Sequence, residues 1–221
     1  MCPANARSKS RISRPPSFAL SFFLALACLR PLWPETAEPQ LKLPVRTYNY
    51  ADVPSHILLN AEQHAAEIFR RADIDLAWID CPVSRSEIEK FPVCTQLTGD
   101  ARALTLKILP ESMAAGYALP ITNLGVTIQH HASFVFYQRV QLLSNDKGLS
   151  EPVVLGHIIA HELGHLLLGE GSHSLKGIMM EDLRSRYFRQ AERGTLLTFS
   201  TEQAQRMQAR LQEQMVAKKP Y

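Results

Sequence analysis

The sequence predicts an α+β domain in which a small twisted mixed β-sheet packs on one long apolar helix, with a second helix closing the C-terminus. Three observations predict it. The candidate elements run strand, helix, several strands, long helix, loop and closing helix, an order that suits neither an all-β nor a bundle architecture. The run from Val153 to Leu168 is almost wholly apolar and too long for a buried strand, so it reads as a buried helix. Finally, 221 residues with 46% hydrophobic and 20% charged content describe one ordinary folded domain plus a leader.

The elements follow in order. Leu43–Tyr50 carries Val45, Thr47 and Tyr48, which favour extended backbone. Pro54-Ser55 opens a helix to about Ala72, with Ile57, Leu58, Ala61, Ala65, Ile68 and Phe69 on one face and His64, Glu67, Arg70 and Arg71 largely on the other. Asp75–Asp80 and Leu104–Leu109 are strand candidates, the second stopped by Pro110. Gly125–Gln129 suits a short edge strand, and Phe134–Leu143 suits a strand or a passage from strand to helix. The long helix starts at Glu151-Pro152 and stops at Gly169, which can adopt a left-handed conformation past a helix end. Beyond Met180 the chain is charged and expected to be irregular until Ser200, which with Gln203 forms a capping box for a helix to about Val216.

The first 27 residues are expected to be a signal peptide. A basic stretch ends at Arg14, an apolar run spans Phe18 to Cys28, and Ala25-Leu26-Ala27 supplies small residues for cleavage. The run is too short for a membrane span, which needs roughly 20 residues. Cys28 after Ala27 also admits a lipid anchor, but such sites usually carry a larger aliphatic residue where Ala25 stands. Residues 28–41, with Pro31, Pro34 and Pro39, are expected to be a linker, and 42–221 the folded domain. The formal charge of +3 owes much to Arg7, Lys9, Arg11, Arg14 and Arg30, all before residue 31. The remainder is slightly acidic, so a nucleic-acid partner is not expected. Cys81 and Cys94 flank a short stretch that a disulfide can close in an oxidising compartment.

The chemistry concentrates in His161-Glu162-Leu163-Gly164-His165. Two histidines four apart stack on one helix face, so both imidazoles can reach one Zn2+ ion. Glu162, beside the first histidine, can take a proton from water at that ion. Ionisable residues inside an apolar helix need a compensating partner, because buried polar groups left unpaired are costly. A bound metal is such a partner. Beyond the break at Gly169, His173 can double back as a third ligand, leaving a fourth position for water. Glu170, Glu181 and Glu192 compete for that third place. His157 is expected to be packed or to support the ligands, and His130-His131 to face solvent. Gly177-Ile178-Met179-Met180 offers a tight turn bearing methionine.

From His161 to Met180 the chain resembles the metzincin clan of zinc peptidases: a zinc-binding helix, a glycine break, a third histidine and a Met-turn. His173-Ser174 with the following Met179 is similar to the short-loop arrangement of matrixins. The resemblance implies that His161, His165 and His173 bind zinc, that Glu162 is the base, and that Met179, or its neighbour Met180, forms the hydrophobic floor. It also implies a metzincin-like sheet over the active-site helix. The clan spacing is His-Glu-x-x-His-x-x-Gly-x-x-His; here the glycine comes one residue late and the histidine two. The expected activity is that of an exported zinc endopeptidase acting as a monomer on a peptide or protein substrate. The alternative is an exported binding or scaffold protein with a structural or degenerate zinc site.

Overall fold

The computed structural model describes residues 41–95, 103–117, 119–128, 132–169 and 171–216. The leader, most of the expected linker, His130-His131 and Glu170 lie outside the described residues. A five-stranded sheet runs in the order β2-β1-β3-β5-β4, comprising β1 (Leu41–Asn49), β2 (Ile74–Cys81), β3 (Leu104–Leu109), β4 (Gly125–Ile128) and β5 (Ala132–Phe136). Strands β2, β1, β3 and β5 are mutually parallel, and β4 joins the β5 edge antiparallel. The sheet is therefore mixed, and the fold is α+β with the long helix Glu151–Leu168 against one face. Leu41, the last position expected in the linker, already pairs with Ile74.

Helix α1 (Ser55–Arg70) and helix α5 (Glu151–Leu168) pack on one another and on the same side of the sheet. Their apolar faces make the main core with Leu43, Val45, Leu106, Ile108 and Val135. The reverse face is covered by a smaller cluster around Phe134 and Phe136 and by another around Tyr48. That cluster includes Cys81 and Cys94, which are joined in a disulfide. Paired residues on neighbouring strands share a face. Thr47, Leu106, Ser133 and Thr127 form one such row, on the helix side.

Helix α5 is held at both ends by later parts of the chain. At its start, the Ser150 backbone N–H donates to the Glu192 carboxylate. At its end, Arg210 and Arg206 donate to the Leu167 and Leu168 carbonyls at 2.9 and 3.2 Å, satisfying acceptors that a helix terminus leaves open. Both arginines belong to α7 (Thr201–Val216). Its start carries the expected capping box: the Ser200 N–H donates to Gln203 Oε1 at 3.0 Å and the Gln203 N–H to Ser200 Oγ at 3.2 Å. Two short helices, α2 (Arg85–Ile88) and α3 (Glu111–Ala114), lie in the connections.

The stretch 134–143 is the passage from strand to helix that the sequence admitted, with β5 ending at Phe136 and α4 running Tyr137–Lys147. A later segment differs from expectation. The charged stretch after Met180 contains an eight-residue helix, α6 (Ser185–Glu192), anchored by Phe188. Its other side chains are exposed or half-buried, so one apolar contact and the hold on α5 keep it in place. No helix among the described residues is long and apolar enough to cross a membrane.

Candidate metal centre

His161 and His165 stand one turn apart on α5. The helix continues to Leu168, where the Gly169 N–H closes on the His165 carbonyl at 2.9 Å. Gly169 and Gly171 then take φ of +88° and +67°, a region that side-chain-bearing residues rarely adopt. These two left-handed residues turn the chain back under the helix and deliver His173. The later glycine and later histidine therefore still close the site, through a longer helix and a two-glycine return.

The Nε2 of His165 lies 3.0 Å from Nε2 of His161 and 3.1 Å from Nε2 of His173. Among the described residues, these three form the group able to hold a metal. The opposite ring nitrogens are engaged: His161 Nδ1–H donates to the Ile178 carbonyl at 2.9 Å, and His165 Nδ1 meets Ser172 Oγ at 2.9 Å. Such contacts fix the tautomer and aim Nε2 inward. Burial pushes the His161 imidazole down to about 4. Burial, then the neighbouring His161 and His173, push His165 down to about 3. Both are thus neutral donors near pH 7, as zinc ligands must be. Three imidazole nitrogens this close need a proton or a cation among them. Tetrahedral ligands at about 2.0–2.1 Å from zinc lie about 3.3 Å from one another, so the donor set fits that ion.

Glu162 is buried beside His161, its carboxyl facing strand β4. Thr127 Oγ1 lies 2.7 Å from Glu162 Oε2 and 2.9 Å from the Glu162 carbonyl, while Ser133 donates to that carbonyl at 2.8 Å. A Cβ added at Gly125 would fall 2.7 Å from Glu162 Oε1 and 2.8 Å from the Phe134 carbonyl. Glycine is therefore what leaves room for the carboxyl. Burial pushes Glu162 up to about 7, against the opposing pull of the Thr127 hydrogen bond. A carboxyl in that range can both accept and return a proton near neutral pH.

A cleft of about 560 Å³ opens over these groups. Thr122–Thr127 line one wall, Glu181–Leu183 another, and His161, Glu162, His165 and His173 the floor. Beneath the helix, Met179 is fully buried; a Cβ at Gly164 would lie 2.6 Å from its Sδ. Met180 instead lines an adjoining cleft. The turn carrying Met179 is tight. Gly177 has φ +84°, and the Ile178 N–H donates to the Thr198 carbonyl at 2.9 Å. The same residue's carbonyl orients His161, so one turn sets both a ligand and the floor.

Two of the rival carboxylates lie among the described residues. Glu192 serves the start of α5, and Glu181 is exposed on the cleft wall. His157 is completely buried, with Nδ1 2.7 Å from the Val153 carbonyl and its ring edge-on to Phe188. Supporting residues that the sequence did not reveal are Gly125, Thr127, Ser133, Ser172, Ile178 and Gln203, the last donating to the Ser172 carbonyl at 3.3 Å. Gly125, Thr127, Ser133 and Ser172 are small or hydroxyl-bearing residues in strands and loops, which are too common to single out, and Ile178 acts through its backbone.

No protein-family model matches the sequence, and no curated protein matches it. Solved structures similar to it include archaemetzincin from Methanopyrus kandleri, at 12% identity and a TM-score of 0.44, covering 78% of this chain and 96% of that one. A zinc-dependent peptidase from Methanocorpusculum labreanum is similar at 12% identity and a TM-score of 0.41, covering 76% of this chain and 99% of that one. Overlaps this loose assign neither a family nor an activity to this chain.

Proposed function

We propose that the chain is a metzincin-like zinc endopeptidase, exported in its mature form. The observation that carries this is the convergence of three imidazole Nε2 atoms at the floor of a cleft that Glu162 also lines. His161, His165 and His173 would hold the ion. Zinc held by three neutral imidazoles supplies Lewis acidity, which lowers the pKa of water and polarises a carbonyl oxygen. Glu162 takes the proton of the attacking water and passes it to the leaving amine nitrogen. Buried between α5 and β4, its carboxyl is held where the proton must travel. Strand β4 is an edge whose outer backbone can pair with an extended peptide, aligning the scissile bond over the floor. Met179, beneath Gly164, stiffens that floor from below.

Export is supported by the basic-apolar-small order of the first 27 residues and by the Cys81–Cys94 disulfide, a bond that persists in oxidising compartments. The activity is tested with zinc-loaded protein and a peptide mixture read by mass spectrometry. The wild-type chain should cleave internal bonds. Glu162→Gln should keep one zinc per chain and lose at least about 100-fold in turnover. A Glu162→Gln variant as active as wild type rules out the mechanism.

A further inference from the structure

Strand β4 does more than offer an edge. Gly125 and Thr127, two apart, face the same side of the sheet, toward α5. At Gly125 there is space where a Cβ would strike the Glu162 carboxyl, and at Thr127 there is a hydroxyl against its other oxygen. We infer that Thr127 is the positioning residue for the Glu162 carboxyl, its hydroxyl fixing the side chain within a slot that Gly125 leaves open. The inference rests on the peptidase reading of the cleft.

Donor counting supports the assignment. Thr127 has one proton and three oxygen neighbours: Glu162 Oε2 at 2.7 Å, the Glu162 carbonyl at 2.9 Å and Ser133 Oγ at 2.9 Å. Ser133 is fully buried, and its own hydroxyl donates to the Glu162 carbonyl at 2.8 Å. That carbonyl already has a donor, and the carboxylate is both the nearest and the strongest acceptor for the Thr127 proton. Ser133 sits directly opposite Thr127 in the β4–β5 ladder, so the strand register itself brings the two hydroxyls together. A glutamate has three side-chain torsions. The Thr127 hydroxyl holds the carboxyl against β4; without it the side chain can swing into the open cleft. The Thr127 side chain points to α5, whereas the outer edge of β4 meets substrate through its backbone. Loss of the hydroxyl should therefore affect the chemical step and spare peptide binding.

The test uses the zinc-loaded chain with Thr127→Val, which removes the hydroxyl at nearly constant shape, and Thr127→Ser, which keeps it. The valine variant should lose about 10- to 100-fold in kcat, since misplacing a reacting group by about 1 Å can cost 100-fold. Its KM should stay within about twofold, the pattern of an interaction that acts in the transition state. Thr127→Ser should recover most of the rate. A valine variant with wild-type kcat, or a serine variant as slow as valine, overturns the assignment. Thr127→Ala replaces valine if the latter does not fold. A second readout needs no activity: in the metal-free chain, Thr127→Val should lower the melting temperature by more in the wild-type background than in Glu162→Ala. Equal shifts in both backgrounds overturn the contact. If the wild-type chain cleaves no peptide, the peptidase reading fails, and the melting cycle still decides whether Thr127 holds Glu162.

Discussion

The contact between α1 and α5 holds the helix that carries His161 and His165 in place, and at Gly156 the two helices approach through backbone. A Cβ there would fall 2.6 Å from the Ala61 carbonyl oxygen and 2.6 Å from His64 Cβ. Ordinary contact begins near 3.5 Å, so Gly156→Ala must part the helices by about 0.9 Å. The oxygen belongs to a regular helix and cannot swing aside as a side-chain tip can. Overpacking of this kind costs about 1–3 kcal/mol, while replacing a helical glycine with alanine returns about 1. The net loss should reach up to about 2 kcal/mol, or up to about 8 °C in melting temperature for a domain of this size. Gly116→Ala is the control, because nothing lies within 4 Å of its added Cβ. It should be neutral or slightly stabilising. Both variants should be melted metal-free by circular dichroism, since bound zinc stabilises by mass action and would mask the difference. A Gly156→Ala protein as stable as Gly116→Ala would refute the packing argument.

Other expectations concern residues around the core and the site. Burial, then the nearby Asp80, pushes the buried Glu62 carboxyl up to about 7, with the Thr47 hydroxyl pulling the other way. Its folded pKa lies above the unfolded value, so its contribution to stability is full below about 4.5 and is lost as pH rises through about 7. Glu62→Gln should therefore flatten urea stability over that window and leave the protein more stable than wild type at pH 8. The gain should be about 2 kcal/mol, after solvent screening trims the about 3 that the shift implies. Reducing the Cys81–Cys94 bond, which spans a sequence separation of 13, should cost about 3 kcal/mol, seen as a lower urea midpoint in dithiothreitol and absent from a Cys81→Ser/Cys94→Ser variant. Ser172→Ala removes the hydroxyl against His165 Nδ1 and should weaken zinc binding about 10- to 100-fold in a competition titration against a chelator.

Much of the fold was legible where a local signal coincided with the tertiary outcome. Helix α5 is bounded by Pro152 near its start and Gly169 at its end, and Ser200 with Gln203 caps α7 through the two reciprocal bonds expected of them. The passage from β5 to α4 was legible only as one of two alternatives, without its boundary. The strand is buried at all five positions, and α4 begins after Phe136 without a side-chain cap, so no polar residue marks the change. Helix α6 escaped for the opposite reason: with Phe188 as its single buried residue, it shows no apolar repeat.

The site divides in the same way. His161, Glu162 and His165 declare themselves because helical spacing alone brings them to one neighbourhood. His173 could be suggested, but its approach depends on two left-handed glycines that a count of residues cannot fold. Thr127 and Ser133 reach Glu162 from 35 and 29 residues away through strand register, and Ile178 reaches His161 through a backbone carbonyl. A carbonyl carries no side-chain signature. The groups that orient the histidines and Glu162 were thus hidden, although the helical residues themselves were plain.

The central claim is that three imidazoles hold a zinc ion whose remaining position is open to water, and a crystal structure of the zinc-loaded mature chain tests it directly. Anomalous scattering at the zinc edge should place one ion about 2.0–2.1 Å from Nε2 of His161, His165 and His173, with water as the fourth ligand and the Glu162 carboxyl beside that water. An ion completed by a fourth protein side chain, or one that leaves His173 unbound, would contradict it.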